Sequence, residues 1–216
     1  MDKVINRMKR LDVASISDAM DKIGIPCGLL GIKPVVQGKH ICGRAFTVHY
    51  IPCGITKGNV GDFLDDVKEG EVVVIDNGGR NYCTVWGDIM TFVASKKGIE
   101  GTVIDGVCRD IPGIKENDYA VFSKDTYMVT GKDRVTVDYI NKPVAISGVQ
   151  VSPGDIILGD DTGVVCIPAD VAEKVVEIAE NIEATEQKII AAVKGGLSLK
   201  EARCQLGYHS LQTKVK

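Results

Sequence analysis

Three residues near the middle of the chain have the types and spacing to do chemistry: Asp88 and, after twenty intervening residues, Arg109 and Asp110. Gly87-Asp88 falls where a helix opens. The amides of Ile89, Met90 and Thr91 then lack partners within the helix and carry the positive end of its dipole. A small carboxylate suits such a terminus. Asp88 also reads as an ordinary N-cap, a position that favours aspartate. Arg109-Asp110 follows an apolar run with the look of a buried strand, and ligand sites in open α/β sheets gather beyond the carboxyl ends of strands. The plainer reading of that dipeptide is a surface ion pair.

The elements around these residues are legible in outline. Residues 72–75 form a continuous apolar run ending in Asp76-Asn77-Gly78-Gly79, and residues 102–105 form another running into Gly106-Val107-Cys108. Both read as strands buried on two faces. Between them a helix is expected from Gly87 or Asp88 to Lys97, closed by Gly98. Upstream, the first 24 residues look helical, with Ser15 or Ser17 as cap and Gly24 as stop. A strand is expected at 45–51 and a short helix at 59–67. Downstream, strands are expected at 119–123, 143–146, 156–158 and 164–167, with a Pro-Gly turn at 151–155. From Ala169 the apolar spacing turns helical for about 25 residues. A last helix opens with a capping box, Ser198 and Glu201. Strands and helices mix without strict alternation, so the expectation is one α/β domain over residues 1–216, with a core at 10–168 and C-terminal helices at 169–210.

Composition narrows the function classes. With 26 basic and 29 acidic residues the formal charge is −3, which supplies no basic field for nucleic acid. Hydrophobic residues at 44% with 25% charged residues exclude disorder as the main state. No apolar run approaches the roughly 20 residues of a membrane span. Charges are scattered through the first dozen positions, so no signal peptide is expected and a cytoplasmic location is. The cysteines are seven, an odd number without zinc-knuckle spacing, and are expected to be reduced and mostly buried. His40, His49 and His209 form no ligand cluster and read as structural or surface residues. Phosphate-binding glycine loops and the GxSxG elbow are absent from the sequence, so no recognised device for nucleotides or serine hydrolysis is present.

The spaced Asp88 and Arg109-Asp110, with Gly87 before the first and Ile104-Asp105-Gly106 before the second, resemble the motif of the RraA-like family. The family includes the class II 4-hydroxy-4-methyl-2-oxoglutarate/4-carboxy-4-hydroxy-2-oxoadipate aldolases. The similarity continues in order through Ala45-Phe46-Thr47-Val48, Gly70-Glu71-Val72-Val73-Val74-Ile75-Asp76, Val151-Ser152-Pro153-Gly154-Asp155 and Gly159-Asp160-Asp161-Thr162-Gly163-Val164-Val165, covering roughly residues 10–190. The resemblance implies a layered α/β/β/α sandwich of the swivelling type with a C-terminal helical arm. It implies a lyase acting on a small 2-oxo acid with Mg²⁺ or Mn²⁺, and oxaloacetate decarboxylation through the same pyruvate enolate. By matching position, Asp110 is the metal ligand, Arg109 clamps the 2-oxo acid, and Asp88 positions water. Gly87, Asp88 and the amides of Ile89 and Met90 bind the substrate carboxylate.

A homotrimer, or a hexamer built as a dimer of trimers, is implied too. In it a C-terminal acid from a neighbour reaches the site; Glu186 is the first candidate and Glu183 the second. No nucleic acid or membrane partner is expected. A Schiff-base aldolase needs a desolvated lysine, which the sequence does not single out. The alternative within the family is a protein-binding regulator of RNase E, and the intact motif favours the enzyme. Departures from the family pattern are Cys108, where a small residue is frequent, and Asn77 and Arg80 in a loop usually richer in glycine. The arm after Ala192 is also shorter. Arg80 is either a second anion contact or a surface charge.

Overall fold

The structure, a computed structural model, describes residues 2–55 and 57–208, so His209 lies outside the described residues. Two helices open the chain, α1 (Lys3–Met8) and α2 (Val13–Ile23). Strands β1 (Lys33–Pro34), β2 (Ile41–Pro52) and β3 (Glu71–Thr84) follow. Next come α3 (Asp88–Lys96), β4 (Gly101–Cys108), α4 (Ile111–Glu116) and β5 (Val121–Thr126). After β6 (Val135–Ile140) there is a small hairpin, β7 (Val144–Ile146) and β8 (Val149–Val151). β9 (Ile156–Asp160), β10 (Gly163–Ile167), α5 (Ala172–Lys194) and α6 (Leu199–Gln205) complete the order.

β2, β3, β4 and β5 run parallel in that spatial order, with β1 antiparallel beyond β5 and the β9–β10 pair antiparallel beyond β2. β6 pairs with the far half of β2. Alternation along each strand assigns residues to separate cores. On one face Phe46, Val48, Val73, Ile75 and Ile104 meet Ala94 of α3, Ile114 of α4 and Phe63 and Leu64. On the other, Ala45, Val74, Val103 and Phe122 meet the hairpin residues Val144 and Ile146 and the inward side of β9 and β10, Ile157 and Cys166. The opposite side of those two strands, Ile156, Leu158, Val165 and Ile167, packs on Met8, Ile16, Met20, Val175 and Ala179 of α1, α2 and α5. The layers are therefore α/β/β/α, as expected.

A polar row closes the second face at the carboxyl ends of the parallel strands. His49, Asp76 and Asp105 stand in register across β2, β3 and β4. His49 Nδ1 lies 3.0 Å from Asp76 Oδ2, and Lys124 pairs with Asp105. The Ser147 N–H at the hairpin tip donates to Asp105 Oδ2 (3.0 Å), which fastens the hairpin over the sheet. His49 thus has a structural partner, and His40 Nε2 lies 3.4 Å from the Leu11 carbonyl.

Several boundaries differ from the sequence reading. The N-terminal helical stretch is two helices, capped by Asp2 and Asp12 rather than by Ser15 or Ser17; the Asp12 carboxylate instead accepts the N–H of Ser15 (2.7 Å). Residues 59–67 hold only a 3₁₀ turn, Asp62–Asp66. β3 does not stop at Asp76. It continues to Thr84 through Gly78 and Gly79, whose positive φ angles of 59° and 66° absorb a register shift against β4. β1, β6 and β8 are strands the sequence reading lacked. The helical stretch from Ala169 opens as a 3₁₀ turn before α5 begins at Ala172. Arg80 is not a loose surface charge: its Nη1 donates to the carbonyls of Asn77 (2.8 Å) and Tyr50 (3.2 Å). Among the described residues no helix is long and apolar enough to cross a membrane.

Candidate active site

β3 and β4 end side by side, and each delivers part of the motif. After Thr84 the chain passes through the buried Val85 and Trp86 and turns into α3 at Gly87, the N-cap. Trp86 Nε1 donates to Thr91 Oγ1 (3.0 Å), and that hydroxyl donates to the Gly87 carbonyl (2.9 Å), so the entry to α3 is pinned from inside. β4 is buried along its whole length and releases Arg109, whose backbone N–H donates to the Trp86 carbonyl (3.1 Å). The two strand ends are therefore tied where the motif residues emerge.

Asp110 follows in the left-handed region, at φ 60° and ψ 45°, and is the N-cap residue of α4. For a residue with a side chain this conformation costs about 1–3 kcal/mol and is typical of functional sites. It turns the carboxylate back toward α3. Asp110 Oδ2 accepts the Asp88 N–H (3.2 Å) and lies 3.3 Å from Arg109 Nε. Gly87 makes this approach feasible, since a Cβ there would stand 2.6 Å from Asp110 Oδ2. Gly113 plays the same part on the other side, with a Cβ position 3.0 Å from that of Asp88.

Gly87, Asp88, Ile89, Met90, Arg109 and Asp110 thus converge. Asp88 is the first residue of α3 rather than its N-cap, and its Oδ1 accepts the N–H of Ile89 (2.8 Å). One of the amides expected to receive a substrate carboxylate is satisfied by Asp88 itself, so a ligand there has to displace that oxygen. Arg109 stands between two hollows. One, of about 360 Å³, is lined by the start of α3, by Thr84 to Trp86, by residues 58–61 and by Thr130 and Lys132. The other, of about 380 Å³, is lined by Arg109, Asp110, Ile111 and Thr126 to Met128.

Glu186 and Glu183 are not part of this group. They lie on α5, which packs on α1 and α2. Burial, followed by the negative charges of Asp18, Asp12 and Glu183, pushes the Glu186 carboxyl above its ordinary range. Cys108 is fully buried next to Ser123, and burial raises its thiol to about 11, which makes it a spectator. The described cysteines are all free.

The donors suit one kind of metal. No group of three or more His, Cys, Asp or Glu among the described residues could hold an ion. Asp110 Oδ1 has no protein partner among the described residues, and Asp88 is adjacent. One direct carboxylate with water completing the shell is what Mg²⁺ accepts.

The sequence reading missed the far wall of the 360 Å³ hollow: Thr84, Trp86, Asn59, Val60, Thr130 and Lys132. The only signal was glycine at 58, 61 and 131. Gly61 lies against Met90, and a Cβ on Gly131 would stand 2.3 Å from the Thr84 carbonyl oxygen.

The chain is a layered α/β fold with an arginine-aspartate pair at a strand end, facing a helix N-terminus. More particularly, the chain belongs to the RraA-like family, whose model, described as Aldolase/RraA, matches residues 13–166. It is similar to DlpA of Legionella pneumophila, at 41% identity over 94% of this chain, and spans about a third (34%) of that protein's length. It is 31% identical over 85% of both chains to a protein of Halalkalibacterium halodurans provisionally named 4-hydroxy-4-methyl-2-oxoglutarate aldolase. The crystal structure of an uncharacterised protein from Pseudomonas syringae pv. tomato superposes with a TM-score of 0.87 at 42% identity, covering 93% of this chain and 96% of that one.

Proposed function

We propose that this chain is a divalent-metal-dependent class II pyruvate aldolase. Its substrate is a 4-hydroxy-2-oxo acid such as 4-hydroxy-4-methyl-2-oxoglutarate, and it also decarboxylates oxaloacetate. The observation that carries the reading is the convergence of the Arg109 guanidinium, the Asp110 carboxylate and the first turn of α3 around a Gly87 that has no room for a side chain. The relative named as an aldolase supports it.

In this reading the substrate C1 carboxylate lies against the N-terminus of α3 and Arg109. Breaking the C3–C4 bond sends its electron pair toward the C2 oxygen, where Arg109 supplies permanent positive charge. Asp88, once displaced from the Ile89 amide, holds a water that takes the proton of the 4-hydroxyl. That carbon leaves as a carbonyl, and the water held by Asp88 returns the proton it took to C3 of the pyruvate enolate. Mg²⁺ or Mn²⁺, held by Asp110 with Asp88 beside it, supplies Lewis-acid polarisation of the C2 oxygen when bound. Oxaloacetate loses CO₂ through the same enolate and needs the same residues.

Glu186, or Glu183 in its place, is assigned to the site of a neighbouring copy in a cytoplasmic homotrimer or dimer of trimers. The reading is supported by the packing of α5 on α1, α2 and the β9–β10 pair, a different core from the one that holds α3 and α4. The exposed apolar side chains of Ile89, Phe92 and Met128 beside the site also suit a covering copy.

Pyruvate release, coupled to lactate dehydrogenase with Mg²⁺ or Mn²⁺, tests the reading on oxaloacetate and on 4-hydroxy-4-methyl-2-oxoglutarate. We expect release that is abolished by EDTA and by Arg109→Ala. A folded protein that neither releases pyruvate nor binds Mn²⁺ sinks the reading in favour of a protein-binding regulator.

A further inference from the structure

The geometry points to Lys132 as the residue that selects substrates with a second carboxylate at the end remote from the 2-oxo group. This inference rests on the reading of the hollow beside Arg109 as the substrate site. At about 360 Å³ that hollow belongs to the roughly 300–1,000 Å³ class of ligand pockets, and a three-carbon acid leaves most of it unfilled.

The lining has a definite charge pattern. Its cationic residues are Arg109 and Lys132, its acid is Asp88, and its apolar residues include Val60, Val85 and Met90. A ligand with two negative groups and a short, partly apolar middle matches that composition. Arg109 and the α3 N-terminus take the 2-oxo acid end, which leaves Lys132 for the other.

Lys132 is set up for this part by its surroundings. The Lys132 N–H donates to Thr130 Oγ1 (3.2 Å), and the N–H groups of Arg134 and Val135 both donate to the Gly131 carbonyl (2.9 Å each). Thr84 lies opposite Thr130 in an isolated bridge, so this turn is joined to the strand that leads into the motif. The adjacent acid, Asp133, is drawn away: its Oδ2 lies 3.2 Å from Lys57 Nζ, an ion pair between the two loops that frame the hollow. Lys132 has no acid partner among the described residues. A lysine that lines a cavity unneutralised can accept an anion without first losing a salt bridge.

Equilibrium binding by calorimetry in Mg²⁺ tests this without requiring turnover. The ligands are 2-oxoglutarate and 2-oxopentanoate, which share chain length and the 2-oxo acid end and differ in the distal carboxylate. Wild-type protein should prefer 2-oxoglutarate about tenfold or more, the worth of one charge-assisted contact. Lys132→Met should bring the two affinities within about twofold, leaving 2-oxopentanoate unchanged, and Lys132→Arg should restore most of the preference. A preference that survives Lys132→Met overturns the assignment, as does equal weakening of both ligands. Two equal wild-type affinities, both lost in Arg109→Ala, leave the aldolase reading standing and remove this one. Wild-type protein that binds neither ligand removes both.

Discussion

Asp110 is an aspartate in a left-handed conformation, a region that asparagine tolerates equally well. That separates shape from charge. Asp110→Asn should leave chemical-denaturation stability within about 0.5 kcal/mol of wild type, since the backbone is not asked to change. On the proposed aldolase reading, pyruvate release should fall by about 100-fold or more, because removing the carboxylate leaves Arg109 without its neighbour and takes away the ligand proposed for the cation. Gly87 allows the converse test. Its φ of −150° is open to any residue, so Gly87→Ala meets no backbone strain but places a methyl 2.6 Å from Asp110 Oδ2. That carboxylate has to move. Stability should change little, and activity on both substrates should drop tenfold or more, in keeping with the cost of small misplacements at reacting centres. Both variants are read by the coupled assay beside a urea melt.

At the scale of elements, caps and strand ends decide what the chain positions. Asp12 is the N-cap of α2 and accepts the Ser15 N–H. Asp12→Ala should cost about 1 kcal/mol in a urea melt, whereas Ser17→Ala, which caps nothing, should cost less than half of that. The sequence pointed to the serines because they precede a good apolar pattern. The structure chose the aspartate because the chain turns sharply after Leu11 and restarts the helix. The β3–α3–β4 unit was legible for a simple reason: its strands are continuous apolar runs, and Gly87 and Gly98 bracket its helix. What stayed hidden depends on long-range pairing. β6 gains its partner from β2, some ninety residues earlier, and Arg80 finds carbonyl acceptors only because β3 bulges at Gly78–Gly79. Neither leaves a local pattern. The near half of the candidate site was therefore readable from the motif, and the half containing Thr130 and Lys132 was not.

At the scale of the molecule, Glu186 is the informative residue. Its carboxyl is held above the ordinary glutamate value of 4.5 by burial first and then by Asp18, Asp12 and Glu183. A raised acid is a liability when ionised: it disfavours the folded state above the unfolded pKa, and the penalty disappears as the pH falls and the folded form keeps its proton. Glu186→Gln should therefore raise the melting midpoint at pH 7–8, with the gain fading toward pH 4. If Glu186 serves a neighbour's site, the same variant slows pyruvate release while it stabilises. A lower midpoint at neutral pH would instead mean that the assembly supplies a compensating cation.

The third hydrophobic layer joins the two ends of the described chain: α1 and α2, within residues 3–23, lie against α5 at 172–194, with Arg7 bonded to Glu180 (2.6 and 2.9 Å) and Glu173 (3.2 Å). On the ribosome this has a consequence in time. The β2–β5 sheet can assemble with α3 and α4 while later residues are still being made, but the first two helices stay without their partner until α5 has emerged. Contacts of such sequence separation close late. Ribosome-bound nascent chains halted before residue 172 should leave residues 3–23 open to a protease that already spares β3 and β4, and chains carried past α5 should lose that sensitivity.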